Sequence, residues 1–454
     1  MGRAHFGTDG VRGVANVDLT AELALALGRA TARVLKSSGF VVGRDTRRSG
    51  PLLQGAFSAG LATEGVTVSD VGVLPTPALA LLARGRGVPA AVVSASHNPF
   101  QDNGIKLFSS EGTKLPVETE QAIEEELDAL LGSPEHATAP PRGAGVGVIV
   151  SDAKAVDEYR QGVVRALKGR RLDGLHVVLD CANGAASTVA PAIFDSLGAR
   201  VDAVFDQPDG ININDGCGST HPAALSAAVL ERGAALGLAF DGDADRLVAV
   251  DHRGVLADGD TLLALFAIDL ANRGLLPGDS VVVTVMSNLG FRHAMSERNI
   301  AVVETPVGDR SVLEALEAGG FHLGGEQSGH IVFRQLTSTG DGILTGLLLA
   351  DLIVRSGVGL AALSAGLIER VPQVLRNVTV LEPHRLAGAT EVWKAVSEVE
   401  ASLGSTGRVL LRASGTEPVI RVMVETFDPA AAESAVDRLC AAVEGSLGTP
   451  TVSA

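Results

Sequence analysis

The sequence predicts an α/β protein of three similar α/β modules with mainly parallel mixed sheets, followed by a C-terminal α+β domain, with an active site in the central cleft. Strand-like and helix-like segments alternate along most of the chain. The strand-like segments are continuous apolar runs, which are typical of parallel sheets covered on both faces. Short polar clusters follow several of these runs, where open parallel sheets bind their ligands.

The length and composition indicate folded domains without a nucleic-acid or membrane partner. The chain has 454 residues, of which 46% are hydrophobic, enough for roughly three domains with apolar cores. Aromatic residues make up only 3%, fewer than a base-stacking surface would need. The net charge is −16, and no run of Lys or Arg supplies the basic face that an anionic polymer or membrane would require.

The cysteines and apolar segments point to a cytoplasmic protein. Cys181, Cys217 and Cys440 are too few and too scattered for a disulfide framework. Cys217 and His221 have no second pair of ligands to complete a zinc site. The N-terminus has no apolar signal region. ILTGLLLADLIV is interrupted by Asp351 and is too short to span a bilayer, so it predicts a buried helix.

The first module can be assigned element by element. Thr20 is suited to cap a helix whose apolar positions repeat at helical spacing. The strand GFVVGRD (39–45), the helix QGAFSAGLATEG, the strand VTVSDVG, a Pro-rich turn, the helix ALALLARG and the strand PAAVVSAS follow. The strand and turn pattern returns at 176–187, 236–246 and 280–290, which indicates further modules.

Three stretches of turn-forming residues suggest the domain boundaries. They are SPEHATAPPRGAG (133–145), DHRGVLADGD (251–260) and the region near Pro372. The order after Pro372 is strand, helix, strand, strand, helix, which differs from the modules. We therefore predict domains at 1–150, 151–255, 256–371 and 372–454.

The turn DGDADR (241–246) is a candidate metal site. Asp241, Asp243 and Asp245 alternate, so their carboxylates can converge on one hard cation. An EF-hand would need Gly and Glu where Arg246 and His252 stand. A solvated acidic loop remains the alternative. Three carboxylates in one short turn repel each other, which favours Mg²⁺ with room for a phosphate oxygen.

The segment SASHNP (94–99) is a candidate phosphate carrier. It lacks the G-x-S-x-G pattern of a serine hydrolase. Adjacent Ser and His side chains are expected to diverge, so His97 is poorly placed as a general base for Ser96. A phosphoserine would instead add roughly −1.5 to −2 charges and three acceptor oxygens that a cation can hold.

Two later turns suit a phosphorylated sugar. RASGTEPVIR (412–421) offers backbone N–H groups and hydroxyls between two arginines, although no P-loop motif is present. GGEQSGH (324–330) offers donors and acceptors that suit sugar hydroxyls. Either turn alone is more often an ordinary loop.

Together these stretches resemble the α-D-phosphohexomutase superfamily in order and spacing over almost the whole chain. The matching motifs are HFGTDGVRG, GRDTR, SASHNP, DNGIK, FDGDADR, TPVGDR, GEQSGH and RASGTEP. GTDGVRG, GCGSTH, TPVGDR and GEQSGH are most similar to the bacterial members that act on glucosamine phosphates. Members that act on mannose and glucose phosphates tend to carry His where Asp309 stands and a different residue at Gln327.

The resemblance implies an isomerase that interconverts glucosamine 6-phosphate and glucosamine 1-phosphate through a phosphoserine enzyme and a 1,6-bisphosphate, supplying UDP-N-acetylglucosamine for cell-wall synthesis. It implies Mg²⁺ as cofactor and a hexosamine or hexose 1,6-bisphosphate as activator. Ser96 would be the phosphoserine and would share the metal with the three aspartates. Ser94 would support the loop. Lys106, His97 and Arg246 would move protons or neutralise charge.

By the same resemblance, the substrate would be bound by residues from several motifs. The expected binding residues are Thr8, Arg12, Gly308, Asp309, Glu326, Ser328, His330, Arg412, Ser414, Gly415, Thr416 and Arg421. A phosphomannomutase/phosphoglucomutase and a catalytically silent sugar-phosphate binding protein remain alternative hypotheses. We expect a phosphosugar partner and consider a homodimer.

Overall fold

A computed structural model gives the fold and describes residue 7 and residues 10–132, 139–414 and 418–448. The chain divides into two compact units. The first comprises Met1–Thr284 and Ile300–Ala365, and the second comprises Val285–Asn299 and Gly366–Ala454. The strands of the described residues form four sheets. Three of these sheets belong to the first unit.

The first sheet has the strand order β1-β5-β4-β2-β3-β6. The pairs β4–β2, β2–β3 and β3–β6 are parallel, whereas β1–β5 and β5–β4 are antiparallel. The elements are β1 (Val11–Val14), α1 (Ala21–Leu35), β2 (Gly39–Arg44), α2 (Gly50–Thr63), β3 (Thr67–Val73), α3 (Thr76–Arg86), β4 (Ala90–Val93), β5 (Asp102–Phe108), α4 (Val117–Gly132) and β6 (Ile149–Ser151).

Helices α1 and α2 show how a core with few aromatic residues packs. Thr20 caps α1 as predicted, because its hydroxyl accepts a hydrogen bond from Leu23 N (3.2 Å). A Cβ on Gly28 would lie 2.2 Å from Phe57 O, and one on Gly60 would lie 2.2 Å from Leu25 O. The two helices therefore meet at backbone distance, and glycine is required at their crossing.

The second sheet has the order β11-β10-β9-β7-β8. The pairs β9–β7 and β7–β8 are parallel, and β10 is antiparallel to both of its neighbours. The elements are α5 (Lys154–Val164), β7 (His176–Asp180), α6 (Ala190–Ser196), β8 (Arg200–Val204), α7 (Ala223–Arg232), β9 (Leu236–Phe240), β10 (Leu247–Asp251) and β11 (Leu256–Ala257).

The third sheet has the order β13-β12-β14-β15, with β14–β15 as its antiparallel pair. The elements of this stretch are α8 (Gly259–Asn272), β12 (Ser280–Thr284), α9 (Leu289–Ser296, in the second unit), β13 (Ala301–Thr305), α10 (Asp309–Gly319), β14 (Leu323–Gly325), β15 (Ile331–Phe333), α11 (Gly342–Ser356) and α12 (Leu360–Leu363). Parallel strands flanked by an antiparallel strand thus recur in three sheets, which confirms the predicted modules.

Each predicted polar cluster follows directly on a buried strand. Ser94 comes after β4, Asp241 after β9 and Glu326 after β14. Strands β4, β9 and β14 are buried along their whole length, so their side chains fill cores while the following turns carry the polar groups.

The apolar stretch 343–354 forms most of α11, and its residues Ile343, Leu347 and Leu349 are buried. Asp351 is also buried, and its carboxylate accepts a hydrogen bond from Arg170 Nε (2.6 Å). The predicted buried helix is thereby confirmed. Among the residues that the structure describes, no helix combines the length and the apolar character needed to cross a bilayer.

The second unit contains an antiparallel sheet with the order β16-β18-β17. Its elements besides α9 are β16 (Gln373–Thr379), α13 (Thr390–Leu403), β17 (Gly407–Ala413), β18 (Val419–Thr426) and α14 (Pro429–Leu447). Val396, Val422 and Leu439 belong to one core between the helices and the sheet. The predicted order of strand, helix, strand, strand, helix is confirmed.

Residues 285–299 join the second unit through a buried carboxylate. Glu425 accepts hydrogen bonds from Asn288 Nδ2 (3.0 Å), Leu289 N (3.0 Å) and Arg408 Nε (2.5 Å). Arg408 also donates to the carbonyl of Val285 (2.9 Å). The two units are coarser than the four predicted domains, whose boundaries stay a prediction.

Candidate active site

The loop of residues 94–101, called the serine loop below, connects the end of β4 to the start of β5. Ser94 Oγ donates a hydrogen bond to Asp45 Oδ2 (2.6 Å) and accepts one from Ser96 N (3.0 Å). Ser94 thus supports the turn. Ser96 has φ of 51°, in the left-handed region that costs an L-residue about 1–2 kcal/mol. The surrounding contacts must therefore hold this conformation.

The left-handed turn directs Ser96 toward the aspartate turn. Ser96 Oγ donates to Asp241 Oδ2 at 2.5 Å and lies 3.3 Å from His97 Nδ1. The expectation that Ser96 and His97 diverge is therefore wrong. An extended chain would separate the two side chains, whereas positive φ at Ser96 brings them together.

Asp241, Asp243 and Asp245 form a compact buried cluster, as predicted from their alternation. Each offers an oxygen within 4.8 Å of those from the other two. Ala244 has φ of 57°, and this turn brings the alternate side chains together. Among the described residues, Asp243 Oδ1 and Asp245 Oδ1 are buried without a hydrogen-bond partner. Buried carboxylate oxygens of this kind fit a hard divalent cation.

Cationic and hydroxyl groups surround the triad. Lys106, which is 4% exposed, places Nζ 2.9 Å from Asp243 Oδ2 and 3.8 Å from Asp245 Oδ2. Arg246 Nε lies 3.8 Å from Asp245 Oδ1. Thr76 Oγ1 donates to Asp243 Oδ2 at 2.6 Å. Thr76, the first residue of α3, was not predicted from the sequence, where its one signal is its place between Pro75 and Pro77.

Two carboxyl groups of the triad lie in different electrostatic environments. Burial and the charges of Asp245 and Asp243 raise the pKa of Asp241 well above its usual range. Burial alone would also raise the pKa of Asp245, but Lys106, His330 and Arg246 outweigh it and lower that pKa. Asp245 therefore ionises more readily than Asp241.

His97 is held in its neutral form near this cluster. Burial, followed by the positive charges of Arg246 and Arg12, lowers the pKa of His97 to about 4, although Asp245 opposes that shift. Arg12 lies in β1 and acts on the same imidazole. A neutral imidazole beside Ser96 Oγ can accept a proton.

Arg47 and Asn214, which the sequence analysis did not single out, contact the serine loop. Arg47 is 1% exposed and donates to the carbonyls of Ser96 (2.9 Å) and Asn98 (2.8 Å). Asn214 Nδ2 donates to the same two carbonyls at 2.9 and 3.0 Å. GRDTR was recognised as a motif, but nothing in its pattern shows which backbone atoms Arg47 reaches.

The turn after β14 lies near the triad. His330 Nδ1 is 3.6 Å from Asp245 Oδ2, and Gly340 N donates to His330 Nε2 (3.1 Å). The backbone hydrogen bond leaves Nδ1 as the protonated nitrogen that faces Asp245. Glu326 Oε1 accepts from Gly308 N (3.2 Å).

Asp309 and Ser328 differ in their surroundings. Asp309 Oδ1 accepts hydrogen bonds from Lys114 Nζ (2.7 Å) and from Arg310 N (2.8 Å) at the start of α10. Ser328 is exposed at the tip of the turn between β14 and β15. The structure therefore brings Glu326 and His330 into hydrogen-bonded positions and leaves Ser328 open to a ligand.

The predicted phosphate cradle lies in the second unit. Arg412 on β17 pairs directly with Arg421 on β18, so two like charges face the same side of the sheet. Ser414 N donates to Val419 O (2.9 Å) and closes the turn. Gly415, Thr416 and Thr8 lie outside the described residues.

Comparison with known families agrees with this organisation. Four models of the phosphoglucomutase/phosphomannomutase family match in order, the alpha/beta/alpha domains I, II and III and the C-terminal domain. They cover residues 3–131, 157–254, 258–371 and 375–442. The matches cover most of the chain.

Solved structures show the same fold. A phosphoglucomutase/phosphomannomutase family protein from Burkholderia thailandensis has a TM-score of 0.79 at 25% identity, covering 98% of each chain. The N-acetylphosphoglucosamine mutase of Aspergillus fumigatus, solved with GlcNAc-6P and magnesium, has a TM-score of 0.68 at 18% identity. That match covers 98% of this chain and 96% of the fungal one. At such low identity it supports the fold alone.

Curated relatives are closer. The phosphoglucosamine mutase of Streptomyces avermitilis is 51% identical over 461 residues, covering 99% of this chain and all of the relative. That of Mycobacterium tuberculosis is 51% identical over 456 residues with the same coverage. The chain therefore belongs to the phosphoglucomutase/phosphomannomutase family, and within that family it groups with the phosphoglucosamine mutases.

Proposed function

We propose that this chain is an isomerase that interconverts glucosamine 6-phosphate and glucosamine 1-phosphate, with Ser96 as a reloadable phosphate carrier. The carrying observation is that Ser96 Oγ lies 2.5 Å from Asp241 within a buried turn of three carboxylates. The relatives named phosphoglucosamine mutase, at 51% identity over nearly the full chain, support the choice of sugar.

The reaction proceeds by two phosphoryl transfers. The oxygen of a free sugar hydroxyl attacks the phosphorus of phospho-Ser96. A bond forms between this oxygen and the phosphorus, and the bond from Ser96 Oγ to the phosphorus breaks. The product is a 1,6-bisphosphate, and the proton of the sugar hydroxyl passes to a nearby base. After the bisphosphate turns around, Ser96 Oγ attacks its other phosphate. In this step the bond from Ser96 Oγ to phosphorus forms, the bond between that phosphorus and the sugar oxygen breaks, and the base returns a proton to the sugar oxygen. Phosphoserine is restored and the isomeric monophosphate is released.

The aspartate triad is suited to Mg²⁺. Asp241, Asp243, Asp245 and a phosphate oxygen on Ser96 would hold the ion, which supplies positive charge to the transferred phosphoryl group. Asp243 Oδ1 and Asp245 Oδ1, which are buried and have no hydrogen-bond partner in the part of the chain that the structure describes, support this assignment. The family is known to use a metal, and we propose magnesium because all the donors are oxygens.

Lys106, His97 and Arg246 handle charge and protons around the transferred group. Lys106 contacts Asp243, so its ammonium can neutralise charge that develops on phosphate oxygens. Burial lowers the pKa of His97 and leaves its imidazole uncharged, so the ring has a lone pair that can accept a proton. Arg246 adds a fixed positive charge beside Asp245.

Substrate recognition combines sugar and phosphate contacts. Glu326 and Ser328 bind sugar hydroxyls, with Gly308 and Asp309 at the neighbouring turn. His330 was expected to bind the sugar too, but it is buried with its ring nitrogens facing Asp245 and Gly340, so we assign it to hold Asp245 and this turn in place. Because either phosphate must be held while the other reacts, a separate cradle is required. We assign that role to Arg412, Ser414, Gly415, Thr416 and Arg421, and we assign Thr8 and Arg12 to substrate binding.

Two further proposals follow from the reaction. A hexosamine or hexose 1,6-bisphosphate activates the enzyme, because it can load Ser96 with phosphate. The product supplies the UDP-N-acetylglucosamine pathway.

A homodimer also remains a prediction, which light scattering of the purified protein would check.

The decisive test is replacement of Ser96 by Ala. The purified protein, Mg²⁺, a catalytic amount of glucose 1,6-bisphosphate and glucosamine 6-phosphate are incubated, and glucosamine 1-phosphate is measured. We expect Ser96→Ala to abolish turnover and phosphate incorporation seen by intact mass, while Ser226→Ala, a control on α7, keeps both. Full activity in Ser96→Ala would overturn the assignment.

A substrate panel separates this proposal from its alternatives. We expect faster turnover of glucosamine 6-phosphate than of glucose 6-phosphate or mannose 6-phosphate. Preference for mannose 6-phosphate would instead indicate a phosphomannomutase/phosphoglucomutase. A wild-type chain that takes up no phosphate from the bisphosphate would indicate a silent sugar-phosphate binding protein.

A further inference from the structure

Arg47 has an unusual environment for an arginine. Its side chain and that of Asp45 are both fully buried, with Arg47 Nε 2.9 Å from Asp45 Oδ2. A buried guanidinium requires compensation by charge and hydrogen bonds. Most of that compensation comes from the serine loop.

The guanidinium donates to four backbone carbonyls of one loop. One terminal nitrogen donates to Ser96 O (2.9 Å) and Asn98 O (2.8 Å). The other donates to Pro99 O and to Asp102 O (3.1 Å). The planar fork therefore spans the chain from the carrier serine to the start of β5, which one ammonium group cannot do.

A second group holds the same loop from the opposite module. Asn214, in the second module, donates to the carbonyls of Ser96 and Asn98. The loop after β2, which carries Arg47, also contacts the second module, because Thr46 Oγ1 donates to Asn183 O (2.6 Å). The carbonyl of Ser96 thus receives two side-chain donors. The peptide that follows the strained residue is fixed in one orientation.

The carbonyl contacts bear on the orientation of Ser96 Oγ. Ser96 is left-handed and its Oγ donates to Asp241, and side chains hold the peptides on both sides of it. Ser94 fixes the N–H side through Asp45, and Arg47 fixes the carbonyl side while pairing with the same Asp45. One buried ion pair therefore holds both sides of the carrier residue.

We infer that Arg47 is a positioning residue for the phosphate carrier: it holds the backbone of residues 96–102 so that Ser96 Oγ stays aimed at the aspartate turn. The inference rests on the proposed function, in which Ser96 carries phosphate. Arg47 touches neither the sugar nor the phosphoryl group in this scheme. It acts through the geometry of Ser96.

The test uses the full chain with Arg47→Lys, which keeps the charge and removes the fork. A misplacement of a reacting group by about 1 Å can cost about 100-fold in rate. We expect kcat for glucosamine 6-phosphate to fall by at least about tenfold, while KM stays within about threefold, because the sugar and phosphate contacts are intact. Loading of Ser96 from glucose 1,6-bisphosphate, followed by intact mass, should slow by a similar factor.

Asn214→Ala provides a second variant that leaves the buried ion pair intact. It removes donors to Ser96 O and Asn98 O, so the same slower loading is expected with a smaller thermal shift. Arg170→Lys is the matched control. Arg170 forms a bidentate pair with the buried Asp351 and is itself 33% exposed, so this variant loses a guanidinium fork away from the serine loop at a less buried position.

The outcomes separate the inference from the proposed function. Slow loading in Arg47→Lys and Asn214→Ala, with normal loading in Arg170→Lys, supports positioning. Loading and kcat within twofold of wild type in Arg47→Lys overturn the inference and leave the function standing. Equal losses in Arg170→Lys also overturn it, since they indicate stability alone. A wild-type chain that never loads phosphate overturns the proposed function itself.

Discussion

At the residue scale, the two carboxylate oxygens of Asp243 have different roles. Its Oδ2 accepts hydrogen bonds from Thr76 Oγ1 and Lys106 Nζ, whereas its Oδ1 has no hydrogen-bond partner among the described residues. One oxygen is thus oriented by the protein, and the other is available for a cation. The orientation is preformed, because Thr76 and Lys106 are themselves buried.

We predict that Asp243→Asn weakens Mg²⁺ binding and lowers turnover by about 100-fold or more, since a neutral amide removes one of three charges that stabilise the ion and the transferred phosphoryl group. Mg²⁺ titration of the rate, with direct calorimetric titration of the metal, measures both effects. Asp251→Asn, at the end of β10 beside Arg253, should leave the metal titration unchanged. An unchanged titration in Asp243→Asn would mean that the turn is only a solvated loop.

Two turns meet at the element scale, and glycine permits their approach. A Cβ on Gly242 would lie 2.6 Å from Ser96 O, 2.8 Å from Ile213 Cδ1 and 2.9 Å from Asn214 Nδ2. The aspartate turn (residues 241–246) and the serine loop therefore pack backbone against backbone. The lack of a side chain at this position allows Ser96 Oγ to reach Asp241.

We predict that Gly242→Ala moves the serine loop away from the aspartate turn. Relief of a 2.6 Å contact should lower the free energy of unfolding by about 1–3 kcal/mol and reduce kcat strongly. Denaturant unfolding and steady-state kinetics measure the two effects. Gly85→Ala is the control: it lies in α3 with open space around its Cβ and should stabilise the chain by about 0.5–1 kcal/mol. Similar behaviour of the two variants would contradict the packing argument.

The division of the chain into two units governs behaviour at the scale of the whole molecule. Residues 285–299 leave the first unit after β12 and return to it at β13. Glu425 ties this excursion to the second unit through Asn288, Leu289 and Arg408. The carboxylate is fully buried, so these donors compensate its charge in place of water.

We predict that Glu425→Gln destabilises the second unit selectively, by about 3–5 kcal/mol, because it leaves Arg408 without its buried counter-charge. Hydrogen exchange with peptide resolution should show loss of protection in β17, β18 and residues 285–299, with amides of the first unit unchanged. Glu433→Gln, which breaks an exposed pair with Arg376, should cost less than about 1 kcal/mol. Uniform loss of protection across both units would contradict the division.

The sequence by itself determined the features that depend on neighbouring residues. The cap at Thr20, the buried helix α11 and the succession of helices and strands along the second unit follow from local patterns. The alternation of Asp241, Asp243 and Asp245 likewise indicated a cation site, because a turn brings alternate side chains together. These predictions succeed because the relevant interactions join residues a few positions apart.

Only the tertiary structure decided which distant residues complete the site. Thr76 reaches Asp243, and Asn214 reaches the serine loop, across more than 100 positions. Arg47 lay in a recognised motif, yet its acceptors are backbone carbonyls that have no sequence pattern. The left-handed conformation of Ser96, which places His97 beside its hydroxyl, depends on these contacts. Side-chain periodicity records which face of an element is buried, but it does not record which backbone atoms of another module lie opposite.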